Sequence, residues 1–303
     1  MKQSSEVKDQ AYIRNHTQFA NDLKLLFKSG VLISNIFPVL AGFWLALHFN
    51  GLSLLNHWGI FLLTIMGSTL VMGGALVINN WYDVDIDSVM ERTKKRPTVT
   101  GSIPLKYILI MGISFSVLGM ILLLITSIEA AIYAFVGWFT YVILYTMWSK
   151  RRYTLNTIIG SISGAVTPLI GWAAIDSATN SIPVLMFFIL FIWQVPHTFA
   201  IAIRKYDDYK RAKVAVLPVV HGLSITKRVT TVYVASLIPL PFFMVELGWT
   251  FILIATGLNV IWLIISITGF TVKDHMKWAR TMFLYSVNYI MIIFLLMIGV
   301  TFL

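Results

Sequence analysis

The chain has 303 residues, 58% of them hydrophobic and only 12% charged, with a formal net charge of +10 and no cysteine. So few polar side chains could not cover a water-soluble surface, and without cysteine there is no disulfide scaffold, thiolate nucleophile or zinc–thiolate site. The composition predicts a polytopic membrane protein that has the lipid bilayer as its solvent and no nucleic acid among its partners; its positive charge serves topology, anionic lipid or an anionic substrate.

Residues 1–28 mix both signs of charge and lack an apolar run, which predicts a cytoplasmic N-terminal segment and not a signal or transit peptide. Residues 29–82 carry no Lys, Arg, Asp or Glu, room for two helices with a turn around Asn50-Gly51 and Asn56-His57. Charge-free stretches then follow at 107–128, 130–149, 153–175, 177–203, 229–245, 247–272 and 281–303, each the length of one span. With nine spans, all 23 Lys and Arg fall on the N-terminal side of the membrane, and the opposite side carries Glu129, Asp176 and Glu246. By the positive-inside rule the expected fold is an all-α polytopic membrane protein: one bundle of nine transmembrane helices over 29–303, N-terminus cytoplasmic, in a bacterial plasma membrane.

Two long, charge-rich connections, 81–106 and 204–228, share the cytoplasmic side. In the first, Asn79, Asp83 and Asp87 are spaced four apart. If the second span continues as a helix they share one face, about 6 Å apart per step. Two carboxylates and an amide oxygen are hard donors that suit Mg²⁺, whose shell is usually completed by water and substrate phosphate. Arg92 and Arg96 follow, placed to hold phosphate oxygens. The bland alternative is a wet loop that stops the helix. Against it, like charges at i, i+4 repel, and carboxylates beside hydrocarbon are costly. Acids at the membrane edge are expected to add little stability. In the second connection, Arg204, Asp207, Asp208 and Lys210 read either as a head-group anchor or as the other half of a diphosphate site.

The sixth span ends in Trp193-Gln194-Val195-Pro196-His197. Gln194 and His197 either contact substrate or satisfy carbonyls freed by Pro196; both readings stay open. Gly160, Gly164, Pro168 and Gly171 predict close helix contact.

These motifs together resemble the UbiA-type intramembrane prenyltransferases, through Asn79-x3-Asp83-x3-Asp87. Within that family the match narrows to the heme O synthase (protoheme IX farnesyltransferase) branch. It is carried by Arg92-Thr-x2-Arg96-Pro, Lys150-Arg151-x2-Thr154-x-Asn156, Trp193-Gln-Val-Pro-His197, Asp208-Tyr-Lys and Val216-Leu-Pro-Val-Val220-x-Gly222. The resemblance implies the UbiA fold and a Mg²⁺-dependent transfer of farnesyl from farnesyl diphosphate to a vinyl group of heme b. Water completes the addition, giving heme O, and a heme-modifying oxygenase acts downstream. It implies catalytic roles for Asp83, Asp87 and Asp208, which with Asn79 form the metal set. Arg92, Arg96, Lys150, Arg204 and Lys210 would hold the diphosphate. Trp81, Tyr82, Asn156, Gln194 and His197 would line the prenyl and heme pocket, Trp81 and Tyr82 by cation–π contact with the allylic cation, His197 at the iron or a propionate. The sequence departs from the family's paired second motif: four residues before Asp208 stands Arg204, so Asp207 and Asp208 are the second loop's only acids, and Lys213 replaces a frequent Gly.

Competing readings are a sister prenyltransferase with an aromatic or quinone-precursor acceptor, a secondary transporter, and an assembly scaffold. Acids at one membrane face and uncharged span centres disfavour transport. A scaffold would tolerate Asp83→Asn and Asp87→Asn.

Overall fold

Inside a bilayer every backbone N–H and C=O needs an internal partner, and the apolar runs satisfy this as helices. The structure is a computed structural model and describes residues 18–303, so the expected cytoplasmic segment 1–28 lies within it only from residue 18 onward. Among the described residues no strand occurs. A short helix over 18–26 precedes α1 (Ser29–Phe49), which ends at Asn50 before Gly51 at φ 63. A 3₁₀ turn (Leu55–His57) leads into α2 (Trp58–Tyr82). The first long connection folds into two short helices, α3 (Val84–Val89) and α4 (Pro97–Thr100). Next come α5 (Leu105–Thr126) and α6 (Ile128–Phe139). Ser127 caps α6 by accepting from the N–H of Glu129 and Ala130.

α6 runs on as a π-helix over Thr140–Ser149. α7 (Asn156–Ala165) and α8 (Thr167–Ala173) meet end to end at Val166, with Pro168 in the first turn of α8. α9 (Ser181–Arg204) passes through Pro196 as one helix. α10 (Tyr206–Arg211) folds the second connection, and α11 (Leu217–Ser236) follows with a bend at Gly222. Two 3₁₀ turns then lead to α12 (Gly248–Thr268) and α13 (His275–Gly299).

Seven helices among the described residues are long and apolar enough to cross a membrane: Ser29–Phe49, Leu55–Tyr82, Leu105–Thr126, Ile128–Ser149, Ser181–Arg204, Val245–Thr268 and His275–Phe302. The other two expected spans take different forms. The stretch expected at 153–175 is divided between α7 and α8. The stretch expected at 229–245 lies earlier in the chain, within α11, because that helix continues back through Arg228 and Lys227 as far as the break at Gly222.

The main core joins residues of α1, α2, α5 to α9 and α11 to α13, including Trp172, Phe251, Trp262, Tyr289 and Phe294. In lipid such contacts stabilise by close packing and not by removal from water. α9 packs against α7, α11 and α13, so its polar end is enclosed on several sides.

Candidate active site

The Asn79 stripe survives a break in its helix. α2 stops at Tyr82 and α3 starts at Val84, yet Asp83 N–H bonds Asn79 O at 3.0 Å and Asp87 N–H bonds Asp83 O at 2.8 Å. The i to i−4 ladder thus keeps the three side chains in one row. Asp83 is 0% exposed and Asp87 3%, so the row is buried and not a wet loop.

Every oxygen-bearing group in the row meets a cation. Lys150 pairs with Asp83, Arg96 Nη1 lies 2.5 Å from Asp87 Oδ2, and Lys28 Nζ donates to Asn79 Oδ1. Burial, with Arg96 and Lys150 nearby, pushes the Lys28 ammonium well below its usual value. Asn79 Nδ2 donates to Asp83 Oδ2 at 2.8 Å and to Thr146 Oγ1 at 3.0 Å. The π-helix explains how Thr146 and Lys150 come to the same mouth: Lys150 N–H bonds Tyr145 O at 2.9 Å, five residues back.

Asp85 points away from this row, as its offset of two residues requires. It takes a two-pronged contact from Arg151 at 2.5 and 2.7 Å, which holds its carboxyl below the usual range. Its side chain is 65% exposed, so solvent screens the pair. Asp85→Asn is expected to cost less than about 1 kcal/mol of stability, checked by thermal unfolding of the purified chain.

The other expected residues separate into distinct places. Asp208 is buried and bonds Arg211 Nη2 at 2.5 Å, and its Oδ1 accepts Glu91 N–H at 3.4 Å. It ties the two connections together without joining Asp83 and Asp87 in a cage: among the described residues no three His, Asp or Glu side chains cluster for a metal. Arg92 lies over Tyr209 and Lys210 over Tyr206, both exposed at the surface. Arg204 lies 4.6 Å from the Phe283 ring, toward α13 and not on the acidic row. Asn156 Nδ2 donates to Ala215 O at 2.8 Å, pinning α7 to the second connection.

Trp81 packs with Leu26, Val77 and Ile108, and Tyr82 lies beneath Arg151 at 5.3 Å. Neither flanks the acidic row as a cation-stabilising ring would. Those positions belong to Tyr141 and Tyr145, which the sequence reading missed. Tyr141 lines an apolar cavity between α1, α2, α6, α7, α8 and α9, with Leu76, Trp138, Ile170 and Gln194 among its walls. Tyr141 stacks on Tyr145 at 5.6 Å, and Tyr145 faces Lys150 Nζ at 5.9 Å. The tyrosine pair therefore links the cavity to the charged mouth.

Gln194 faces that cavity, and His197 bonds Ser286 Oγ at 2.8 Å. Among the described residues neither side chain bonds a carbonyl freed by Pro196, so the kink-satisfying reading does not hold for them. Gly164 is small because Gln194 lies against it: an added Cβ would come within 2.4 Å of Gln194 Oε1. Gly164→Ala is expected to push that amide into the cavity and lower kcat/KM for a long prenyl donor on the order of tenfold, measured by steady-state kinetics with donors of different chain length.

The row suits a small divalent cation. Its donors are hard oxygens, and Asp83 Oδ1 is buried without a hydrogen bond, with Arg151 Nη2 3.7 Å away. Two carboxylates and an amide leave the rest of a magnesium shell for water and phosphate.

The profile of the UbiA prenyltransferase family matches residues 35–287. A protoheme IX farnesyltransferase of Oceanobacillus iheyensis is 53% identical over 281 residues, 92% of this chain and 90% of that protein. One from Bacillus thuringiensis is 50% identical over 302 residues, 99% of this chain and 98% of that protein. Among solved structures, digeranylgeranylglyceryl phosphate synthase superposes with a TM-score of 0.73 at 18% identity, covering 93% of this chain and 98% of the other. A UbiA homolog from Archaeoglobus fulgidus bound to DMAPP and Mg²⁺ superposes with a TM-score of 0.68 at 16% identity, covering 91% and 99%.

Proposed function

The chain belongs to the UbiA prenyltransferase family, and on that premise we propose that it farnesylates heme b to heme O. The observation that carries the chemistry is the buried Asn79–Asp83–Asp87 row, bonded to Lys28, Lys150 and Arg96 and joined to an apolar cavity through Tyr141. The near-full-length identity to protoheme IX farnesyltransferases supports the choice of acceptor.

In this reading the C–O bond of farnesyl diphosphate breaks and its electron pair leaves with diphosphate. The allylic carbon bonds to the terminal carbon of a heme vinyl group. Water then supplies oxygen to the adjacent carbon and loses a proton, leaving a hydroxyethylfarnesyl side chain. Asn79, Asp83 and Asp87 would hold Mg²⁺, which supplies the positive charge that makes diphosphate a competent leaving group. Lys150 and Arg96 place fixed charge where negative charge grows, and Lys28 donates a hydrogen bond at Asn79. Tyr141 and Tyr145 present ring faces between that mouth and the cavity, where a cation is stabilised. The cavity walls exclude water until the carbon–carbon bond has formed. Asp208 orders the mouth by tying Glu91 to α10, and Arg92 and Lys210 attract the anion from the surface.

The same reading places nine crossings in the plasma membrane, counting α7 with α8 as one and α11 as another. The N-terminus and both acidic connections lie in the cytoplasm. The distribution of Lys and Arg supports that orientation.

The decisive test is the pigment formed by purified protein with farnesyl diphosphate, Mg²⁺ and either heme b or a phenolic acid. A heme more apolar than heme b is expected, its mass raised by one farnesyl group and one hydroxyl group. A prenylated phenol without any new heme would overturn the assignment in favour of a sister prenyltransferase.

A further inference from the structure

Outside the acidic row, a second cleft of about 450 Å³ lies between α3, the turn after the π-helix and the residues that follow α10. Asp85, Ile86 and Val89 line it from α3, Arg151 from the turn, and Arg211, Ala212 and Lys213 from the second connection. A space of that size admits a polar group of many atoms. Its charges do not balance. Asp85 gives both carboxylate oxygens to Arg151, at 2.5 and 2.7 Å, and Arg211 bonds Asp208 at 2.5 Å. Among the described residues Lys213 pairs with no carboxylate. A cleft whose lining holds three cations and one acid is a seat for an anion.

Lys213 stands there under local strain. The end of α10 closes as a Schellman turn: Val214 N–H bonds Tyr209 O at 3.1 Å and Lys213 N–H bonds Lys210 O at 3.2 Å. Such a turn needs a left-handed residue at its corner, where glycine is usual, and Lys213 takes it at φ 53. Val214 is buried in one cluster with Ile86 and Met90, against which Tyr209 packs, so the surrounding structure holds the turn. Strain of this kind persists at ligand sites because the side chain is needed there. A glycine would relax the turn and take away the unpaired cation.

The depth of the cleft selects the anion. The membrane-length segment Ile128–Ser149 ends two residues before Arg151. Trp148 and Tyr153 flank Arg151 in the chain, both exposed and packed edge to face with ring centroids 5.4 Å apart. Such aromatic side chains belong at a bilayer–water boundary. Leu155 on the same turn and Val89 in the cleft wall are exposed as well.

We propose that this cleft binds the phosphate of an anionic phospholipid, held by Lys213, Arg211 and Arg151, with the glycerol leading toward Trp148 and Tyr153. The seat is separate from the diphosphate mouth and holds for any prenyl acceptor. Arg151 stands between the two, its Nη2 3.7 Å from Asp83 Oδ1, so a bound lipid also bears on the acidic row.

The experiment places the purified full-length chain in mixed micelles with equal amounts of phosphatidylglycerol and phosphatidylcholine, and native mass spectrometry counts the lipid that stays bound. Wild type is expected to retain one phosphatidylglycerol in preference to phosphatidylcholine. Lys213→Gly should lower that preference about fivefold, the scale of one basic side chain at an anionic surface. Its thermal midpoint in phosphatidylcholine alone should rise as the turn relaxes. Lys213→Arg should keep the preference. Stability gained while lipid is lost separates a binding residue from a structural one. Inorganic diphosphate without Mg²⁺, at a concentration equal to that of the lipid, is the competing anion and should leave the lipid in place. If wild type shows no preference, if Lys213→Gly retains phosphatidylglycerol as wild type does, or if diphosphate displaces it, the lipid seat is wrong.

Discussion

Asp83→Asn is expected to lower prenyl transfer on the order of 10³-fold, the scale seen when one preorganised charge-stabilising group is lost, and to destabilise the fold as well. The second effect follows from burial. Asp83 is 0% exposed and holds Lys150, whose side chain is 13% exposed. Removing one member of a buried pair leaves the other uncompensated, at about 3–5 kcal/mol. Membrane-edge acids were expected from sequence to add little stability, and the burial of Asp83 reverses that expectation. The two effects separate in a double variant. Asp83→Asn with Lys150→Met removes both charges, so the thermal midpoint should recover toward wild type while activity stays lost. Thermal unfolding and product formation, measured on the single and double variants, check this. Wild-type activity in Asp83→Asn would return the scaffold reading to contention.

Gly171→Ala is expected to prevent normal assembly of the bundle, although it adds one methyl group. The new Cβ would sit 2.0 Å from Val39 O and 2.8 Å from Phe43 N. Both are backbone atoms of α1, so no side chain can turn aside and α8 must move away. Gly42 makes the reciprocal approach, its Cβ falling 2.1 Å from Pro168 O. Overpacking typically costs about 1–3 kcal/mol, and a backbone clash belongs at the upper end or above. The shift also spreads the α1 and α8 walls of the cavity, so residual activity should fall with folded yield. Gly257→Ala is the internal control. A Cβ there meets nothing within 4 Å, and Ala favours helix over Gly by about 1 kcal/mol. Size-exclusion profiles and thermal midpoints of the two variants should therefore differ in opposite directions from wild type.

The helical, membrane-embedded architecture was legible because lipid enforces it: long charge-free runs have no other stable form. Helix continuity was less legible. The α7–α8 junction and the bend at Gly222 arise where Pro168 and Gly222 break local regularity, and uncharged sequence does not reveal such breaks. The acidic row was legible because spacing of four survives the small break at Asp83. Lys28 was not, since its role depends on α1 packing beside α2, a contact across 51 residues. Tyr141, Tyr145 and Thr146 escaped because their segment winds as a π-helix, and a period of 3.6 assigns them to other faces. Trp81 and Tyr82 were misplaced for the opposite reason: adjacency in sequence to Asp83 suggested proximity to the reacting carbon, but consecutive helical residues point in different directions.

The most direct test of the account is product formation by the purified chain in a titration of free Mg²⁺ against a chelator, with farnesyl diphosphate and heme b held constant. Heme O should be absent in excess chelator and return as Mg²⁺ is restored, and Asp87→Asn should shift that return to higher Mg²⁺. Undiminished turnover in excess chelator, or an Asp87→Asn curve that overlays wild type, would contradict the assignment of the row to a metal-assisted departure of diphosphate.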